Sequence, residues 1–325
     1  MLELIQETMG RILYNIPPSP LHAQIEITNI CNLDCRMCPR EKLDVTQEHI
    51  PFERMKAIVD RLNGVKILTL TGWGEPFLHP NIFEMIRYAK QKGFWLQITT
   101  NGVFKNDSLV PRVVESGLDS LSFSIDSPSN GLEWGHHSNA GMERMRQLIQ
   151  ARQGKTPAVT LQATVHKGGG EQVMEVIRLC KSVGGDRVNL GRLDTRFAPE
   201  MERPSPREEK RIFRKANQLG RELGVRVDCI QYAISQGMER AVYRLIKRAL
   251  HRMGRYCLKT YNYVYINNAG DVTPCCLLPN LSMGNILSED LAGIWKSSDF
   301  NDFRQNQKKI CGKCDLWRIE YSDSE

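Results

Sequence analysis

Between residues 22 and 230 the hydrophobic pattern switches repeatedly between strand-like and helix-like periods. That alternation restricts the available folds more than any other feature of the chain. Strand-like stretches occupy residues 23–28, 66–70, 95–99, 119–125, 158–165 and 187–190, with 225–230 read as one more. Helix-like stretches occupy 52–62, 82–92, 109–116, 141–153, 172–182 and 206–223. Pro51 stands near the first helix start, and Ser205-Pro206 supplies an N-cap and first-turn pair for the last. Six β–α units with short loops predict a parallel α/β sheet. Six are too few to close an eight-unit barrel, so an open, partial, TIM-like (β/α)6 barrel is expected. A flat doubly wound sheet has the same periodicity and stays open as an alternative.

The chain has 325 residues, 41% of them hydrophobic, enough for a sizeable core. No apolar run approaches the ~18 residues of a membrane-spanning helix. Residues 1–16 carry acids and lack the basic start and apolar centre of a signal peptide, which predicts a cytoplasmic protein. The net charge of +7 favours anionic partners without choosing among them. Ten cysteines stand at 31, 35, 38, 180, 229, 257, 275, 276, 311 and 314. In a cytosolic enzyme, clustered cysteines read as metal ligands rather than disulfides. Two spaced sets account for most of them.

The first set is Cys31-Asn32-Leu33-Asp34-Cys35-Arg36-Met37-Cys38, directly after the first strand. In parallel α/β folds, ligands gather at the C-terminal ends of strands. Three thiolates can hold three irons of a cubane and leave the fourth open to an outside ligand. A zinc site is the competing reading, but it usually needs a fourth Cys or His, and this loop has none.

These residues resemble the radical SAM superfamily. The resemblance implies that Cys31, Cys35 and Cys38 hold a 4Fe–4S cluster. It also implies that the open iron binds S-adenosylmethionine, which is cleaved reductively to a 5′-deoxyadenosyl radical. Met37 takes the place where the family often has an aromatic residue beside the adenine. Thr71-Gly72-Trp73-Gly74-Glu75-Pro76 matches the family's GxGEP element, which puts Gly74 and Glu75 on the methionine amine. Thr99-Thr100-Asn101-Gly102 ends the third strand at the same edge. Ser124 and Asp126 match positions facing ribose or substrate, or else simply cap a strand. Val165 is placed near adenine by the same likeness.

The second set comprises Cys257, Cys275, Cys311 and Cys314, with Gly270 leading Cys275 and a closing CxxC. It is similar to the SPASM-type extension of radical SAM enzymes. Four cysteines suit one fully ligated auxiliary 4Fe–4S cluster, and a four-thiolate structural zinc is the alternative. Cys276 is a spare thiol or exchanges with Cys275. A hairpin is expected at 261–266 and 271–274 around the turn 267–270. Cys180 lies on an apolar helix face and reads as core. Cys229 is a candidate hydrogen-atom donor, with an inert buried cysteine as the competing reading. Residues 240–255 form a basic amphipathic helix without acids, a solvated face or a peripheral contact with anionic lipid.

The expected organisation is a radical SAM core at 1–230 and an auxiliary-cluster domain at 231–325. The expected reaction is dehydrogenation or epimerisation of a small-molecule or sugar-type substrate, possible anions included. Peptide or protein maturation ranks second and lipid modification third. Only about 21 residues precede the first strand, too few for a leader-recognition domain there. A flavodoxin or ferredoxin is the expected reductant, and nucleic acid is not an expected partner. A zinc-binding interaction protein is the alternative from another class.

Overall fold

The computed structural model describes residues 16–44, 46–104, 109–126, 128, 139–152, 156–229, 257–312 and 314. The strands are β1 (His22–Ile25), β2 (Ile67–Leu70), β3 (Trp95–Thr100), β4 (Ser120–Ser124), β5 (Ala158–Val165), β6 (Arg187–Arg192), β7 (Arg226–Cys229), β8 (Tyr263–Ile266) and β9 (Val272–Thr273). The helices are α1 (Phe52–Val59), α2 (Ile82–Gln91), α3 (Leu109–Glu115), α4 (Asn139–Ala151), α5 (Gly170–Val183), α6 (Pro206–Leu223), α7 (Leu291–Lys296), α8 (Ser298–Gln305) and α9 (Gln307–Cys311). They fall into two compact units.

The larger unit draws on Thr28–His49 and Leu70–Ala233. In it β3 to β7 pair in sequence order, all parallel. Each strand alternates. Leu96 and Ile98, Leu121 and Phe123, Leu161, Ala163 and Val165, and Val188 and Leu190 are buried on one face. Helices α5 and α6 pack on β5, β6 and β7. The other face carries Thr99, Ser122, Ser124, Gln162, Thr164 and Asn189, all half-buried. A parallel sheet covered by helices on both faces reads as continuous apolar runs. The polar row here instead leaves one face of β3 to β6 half-buried. Ser205 caps α6 by accepting from the Glu208 amide at 3.3 Å, as its sequence predicts.

The other unit draws on the described parts of Met1–Ile27, Ile50–Thr69 and Ile234–Ser322. Here β2, β1, β8 and β9 are neighbours in that order. The expected hairpin forms, with Tyr265 opposite Thr273. Asn267 Oδ1 builds its turn by accepting from the amides of Ala269 at 3.1 Å and Asp271 at 2.8 Å. The hairpin does not stand alone: β8 runs parallel to β1, from His22 opposite Tyr263 to Ile25 opposite Ile266. Helices α7 and α8 close over Trp295, Phe300 and Phe303, and the buried Arg304 guanidinium lies 4.2 Å from the Trp295 and Phe300 rings.

Among the described strands both β7 and β9 have a single neighbour, so the sheet is unclosed. Among the described residues no helix is long and apolar enough to cross a membrane. The basic stretch 240–255 lies outside the described residues.

Candidate metal centres

The first centre is built by two loops locked together through their backbones. The Gly74 amide donates to the Thr28 carbonyl at 3.0 Å, and the Glu75 amide to the Ile30 carbonyl at 2.9 Å. Asn29 is fully buried between them: its Oδ1 accepts from the Trp73 amide at 3.1 Å and its Nδ2 donates to Thr46 O at 3.3 Å. A Cβ on Gly74 would stand 2.3 Å from Ile30 O and 2.7 Å from Ile30 N. Gly74 is thus demanded by the cysteine loop's own backbone, before any ligand arrives. Gly74→Ala is expected to lose about 2–3 kcal/mol of stability by overpacking. Denaturant midpoints check this, and an unchanged midpoint would contradict the packing account.

The three cysteines of this loop lie close enough for Cys35 to feel the charge of both Cys31 and Cys38. Cys35 is buried, and Cys31 and Cys38 are half-buried. Burial is the largest influence on each thiol, and it pushes Cys35 up to about 12, with Cys38 and Cys31 adding their repulsion. Burial likewise raises Cys31 and Cys38, against opposing help from Arg40. Arg40 also braces the loop, donating to Cys31 O at 3.5 Å and Leu33 O at 3.3 Å. One buried and two half-buried sulfurs that repel one another as thiolates need a polycation among them. An iron–sulfur cubane meets that need. Among the described residues no three Cys, His, Asp or Glu side chains converge on a single-ion point.

Glu75 lies beside this loop, almost fully buried. Its Oε1 accepts from the Phe77 amide at 3.0 Å and the Thr100 hydroxyl at 2.7 Å; its Oε2 accepts from the Asn101 amide at 2.7 Å. A carboxylate offers about four acceptor sites, so one remains on Oε2 for an incoming ammonium. Burial raises Glu75 to about 7 despite these donors. Asn101 in turn donates from Nδ2 to Asn32 Oδ1 at 3.0 Å and toward Cys31 Sγ at 3.7 Å. Arg40 and Asn29 stand outside the quoted motifs, and Asn32 lies within the cysteine motif at a position given no role there. Their roles come from contacts that local sequence does not encode.

The remaining expected positions divide. Ser124 lies on the half-buried polar face, opposite Gln162. Asp126 is buried and its Oδ1 accepts from the Thr164 amide at 2.5 Å, a strand-capping contact. Met37 packs against Leu193, Ala198 and Met201. Val165 is fully buried on the opposite face, in register with Arg192, whose guanidinium is paired with Glu209 at 2.7 Å. Cys229 ends β7 opposite Leu190, and its side chain lies outside the described residues. Cys180 is fully buried.

The second centre belongs to the other unit. The Cys257 amide donates to Gln307 Oε1 at 3.1 Å, and Gln307 Nε2 donates to Thr260 Oγ1 at 2.8 Å. This buried glutamine ties Cys257 to α9, which ends at Cys311. The Cys314 amide then turns back onto Cys311 O at 2.7 Å. Cys275 Sγ accepts from the Leu277 amide at 3.5 Å. Cys257, Cys275, Cys311 and Cys314 are all half-buried. The donor set, four soft thiols on one small unit, fits a fully ligated cluster.

An unclosed parallel α/β fold with a three-cysteine loop at a strand end beside a Gly-Glu-Pro turn defines an iron–sulfur enzyme that uses S-adenosylmethionine. The chain belongs to the radical SAM superfamily, whose model matches residues 25–194. An iron–sulfur cluster-binding domain, SPASM, matches residues 257–315. It is thus an enzyme of 4Fe–4S clusters and S-adenosylmethionine. An "AdoMet-dependent heme synthase" of Methanosarcina barkeri is 26% identical, over 90% of this chain and 86% of its own length. A "PqqA peptide cyclase" of Xanthomonas campestris is 22% identical, over 94% and 81%. The structure of Streptococcus suis SuiB bound to its precursor peptide SuiA superposes with a TM-score of 0.73 at 17% identity, over 97% of this chain and 74% of that one. That last likeness is one of fold.

Proposed function

We propose that Cys31, Cys35 and Cys38 hold the cluster that binds S-adenosylmethionine, and that Gly74 and Glu75 receive its ammonium. The observation that carries this is the joint placement of three mutually repelling thiols and a buried, nearly saturated carboxylate at one loop pair. When bound, the cluster supplies the electron that cleaves S-adenosylmethionine. Around it, Glu75 orients the ammonium through Oε2 while Thr100 and Asn101 hold the carboxylate still. Asp126 fixes the β4–β5 edge, and the Ser124 hydroxyl faces ribose or substrate. Glu75→Gln should weaken S-adenosylmethionine binding by about 1–3 kcal/mol. Because Glu75 sits at about 7, native affinity should fall as pH drops through 7 and the carboxylate protonates. Calorimetry on the reconstituted variant should show that this pH dependence has gone. An unchanged affinity and pH profile would remove Glu75 from the site.

The substrate reading is hydrogen-atom abstraction from a small, hydroxylated or otherwise polar molecule, leading to dehydrogenation or epimerisation. Ser122, Ser124, Gln162 and Asn189 support it as an uncharged polar row on the half-buried face of β4 to β6. A peptide substrate is the second reading, favoured by similarity to a peptide cyclase. An anaerobic assay decides between them: deuterium is followed into 5′-deoxyadenosine from labelled sugars and labelled peptides. Transfer from peptides alone would reject the small-molecule reading.

Flavodoxin or ferredoxin is the reductant in this reading, and the cytoplasm the compartment. A peripheral lipid contact rests on the charge of residues 240–255. It predicts salt-sensitive association of the native protein with anionic vesicles, and absence of association removes it.

A further inference from the structure

A second cluster of ionisable side chains lies on β1 and β8, in the same unit as the second cysteine set. His22, Gln24 and Glu26 come from the first strand and its continuation, and Tyr263 and Tyr265 from the hairpin. Tyr263 and Tyr265 are buried, as is Glu26. The Tyr265 hydroxyl donates to Glu26 Oε2, so its proton is committed to a carboxylate. The Tyr263 hydroxyl donates to Gln24 Oε1 at 2.7 Å and its ring lies edge-on to His22, centroids 5.1 Å apart. The same hydroxyl is hydrogen-bonded with Cys276, and the sulfurs whose charge it feels are Cys276 and Cys275.

A phenol has one proton to give. A glutamine carboxamide can accept through oxygen or, turned over, donate through nitrogen. With thiolates gathered around a metal cluster, the sulfur side becomes the better acceptor. Gln24 would then turn to donate to the phenol oxygen, leaving the phenol proton for the sulfur side. Donors to cluster sulfurs favour the more negative, reduced state and so raise the reduction potential.

We propose that Tyr263 is a positioning residue for the auxiliary cluster: held by Gln24 and His22, its hydroxyl donates to the Cys276 sulfur beside the Cys275 ligand and raises that cluster's reduction potential. This rests on the reading that Cys257, Cys275, Cys311 and Cys314 hold a cluster.

The test is a redox titration of the reconstituted holoenzyme, followed by electron paramagnetic resonance, for the native protein and Tyr263→Phe. Iron should stay at about eight per chain in both, from two four-iron clusters. In Tyr263→Phe the auxiliary cluster should be about tenfold harder to reduce, a fall of about 59 mV for a one-electron couple. The other cluster's potential should not move. Full iron with an unmoved auxiliary potential overturns the proposal alone. Native protein with only about four irons overturns the cluster reading beneath it. Should Tyr263→Phe lose iron, 3-fluorotyrosine incorporation decides. It keeps the hydroxyl, makes it a stronger donor and should raise the potential; no rise overturns the proposal.

Discussion

Replacing Cys31, Cys35 and Cys38 together by alanine is expected to abolish S-adenosylmethionine cleavage. Iron should fall from about eight to about four per chain. The three thiols stand on one loop, pinned by Asn29 and Gly74, and no fourth Cys or His stands within it to substitute. The second set lies on the other unit with its own framework of Gln307, Thr260 and α9, so it should keep its metal. Iron analysis and chromatographic detection of 5′-deoxyadenosine, with dithionite as reductant, check both halves. Continued formation of 5′-deoxyadenosine by the triple variant would mean that the cleaving cluster sits elsewhere.

Cys314→Ala should abolish product while leaving uncoupled S-adenosylmethionine cleavage partly alive. In the proposed assignment four thiolates would close the auxiliary cluster, leaving no iron for a substrate atom and a role in electron transfer. A dehydrogenation needs such an acceptor, because the substrate radical must lose one more electron. Cys314 turns directly onto Cys311, so its loss opens the cluster without touching Gln307 or the hairpin. Product by mass spectrometry and 5′-deoxyadenosine by chromatography separate the two effects. Full product formation would rule out an essential auxiliary cluster. In the native enzyme, a substrate-induced hyperfine coupling at that cluster would reveal an open iron and defeat the four-cysteine assignment.

Much of the candidate site was legible in the chain because its chemistry is written in short spacings. CxxxCxxC, Gly74-Glu75-Pro76 and the closing CxxC each lie within a few residues. The short Gly-Glu-Pro motif marks Glu75, but its hold by Phe77, Thr100 and Asn101, with burial lifting it to about 7, is not written there. The motif marks Gly74, but the backbone atoms of Ile30 and Asn29 that leave it no room for a Cβ appear only in the fold. Val165, which the family likeness sets near adenine, lies in the fully buried row of β5 with Leu161 and Ala163.

The six β–α units, the turn at 267–270 and the two cysteine sets follow from local periodicity, turn chemistry and spacing, which act over a few residues and need no partner. The pairing of β8 with β1, the fit of Gly74 under Ile30 and the meeting of Tyr263 with Gln24 and Cys276 were settled only in the folded chain. Tyr263 and Gln24 lie 239 residues apart in sequence. Nothing in the local pattern of either strand specifies the other as its neighbour. That choice belongs to the burial of Ala23, Ile25, Val264 and Ile266 in one shared layer, a property of the whole packed unit.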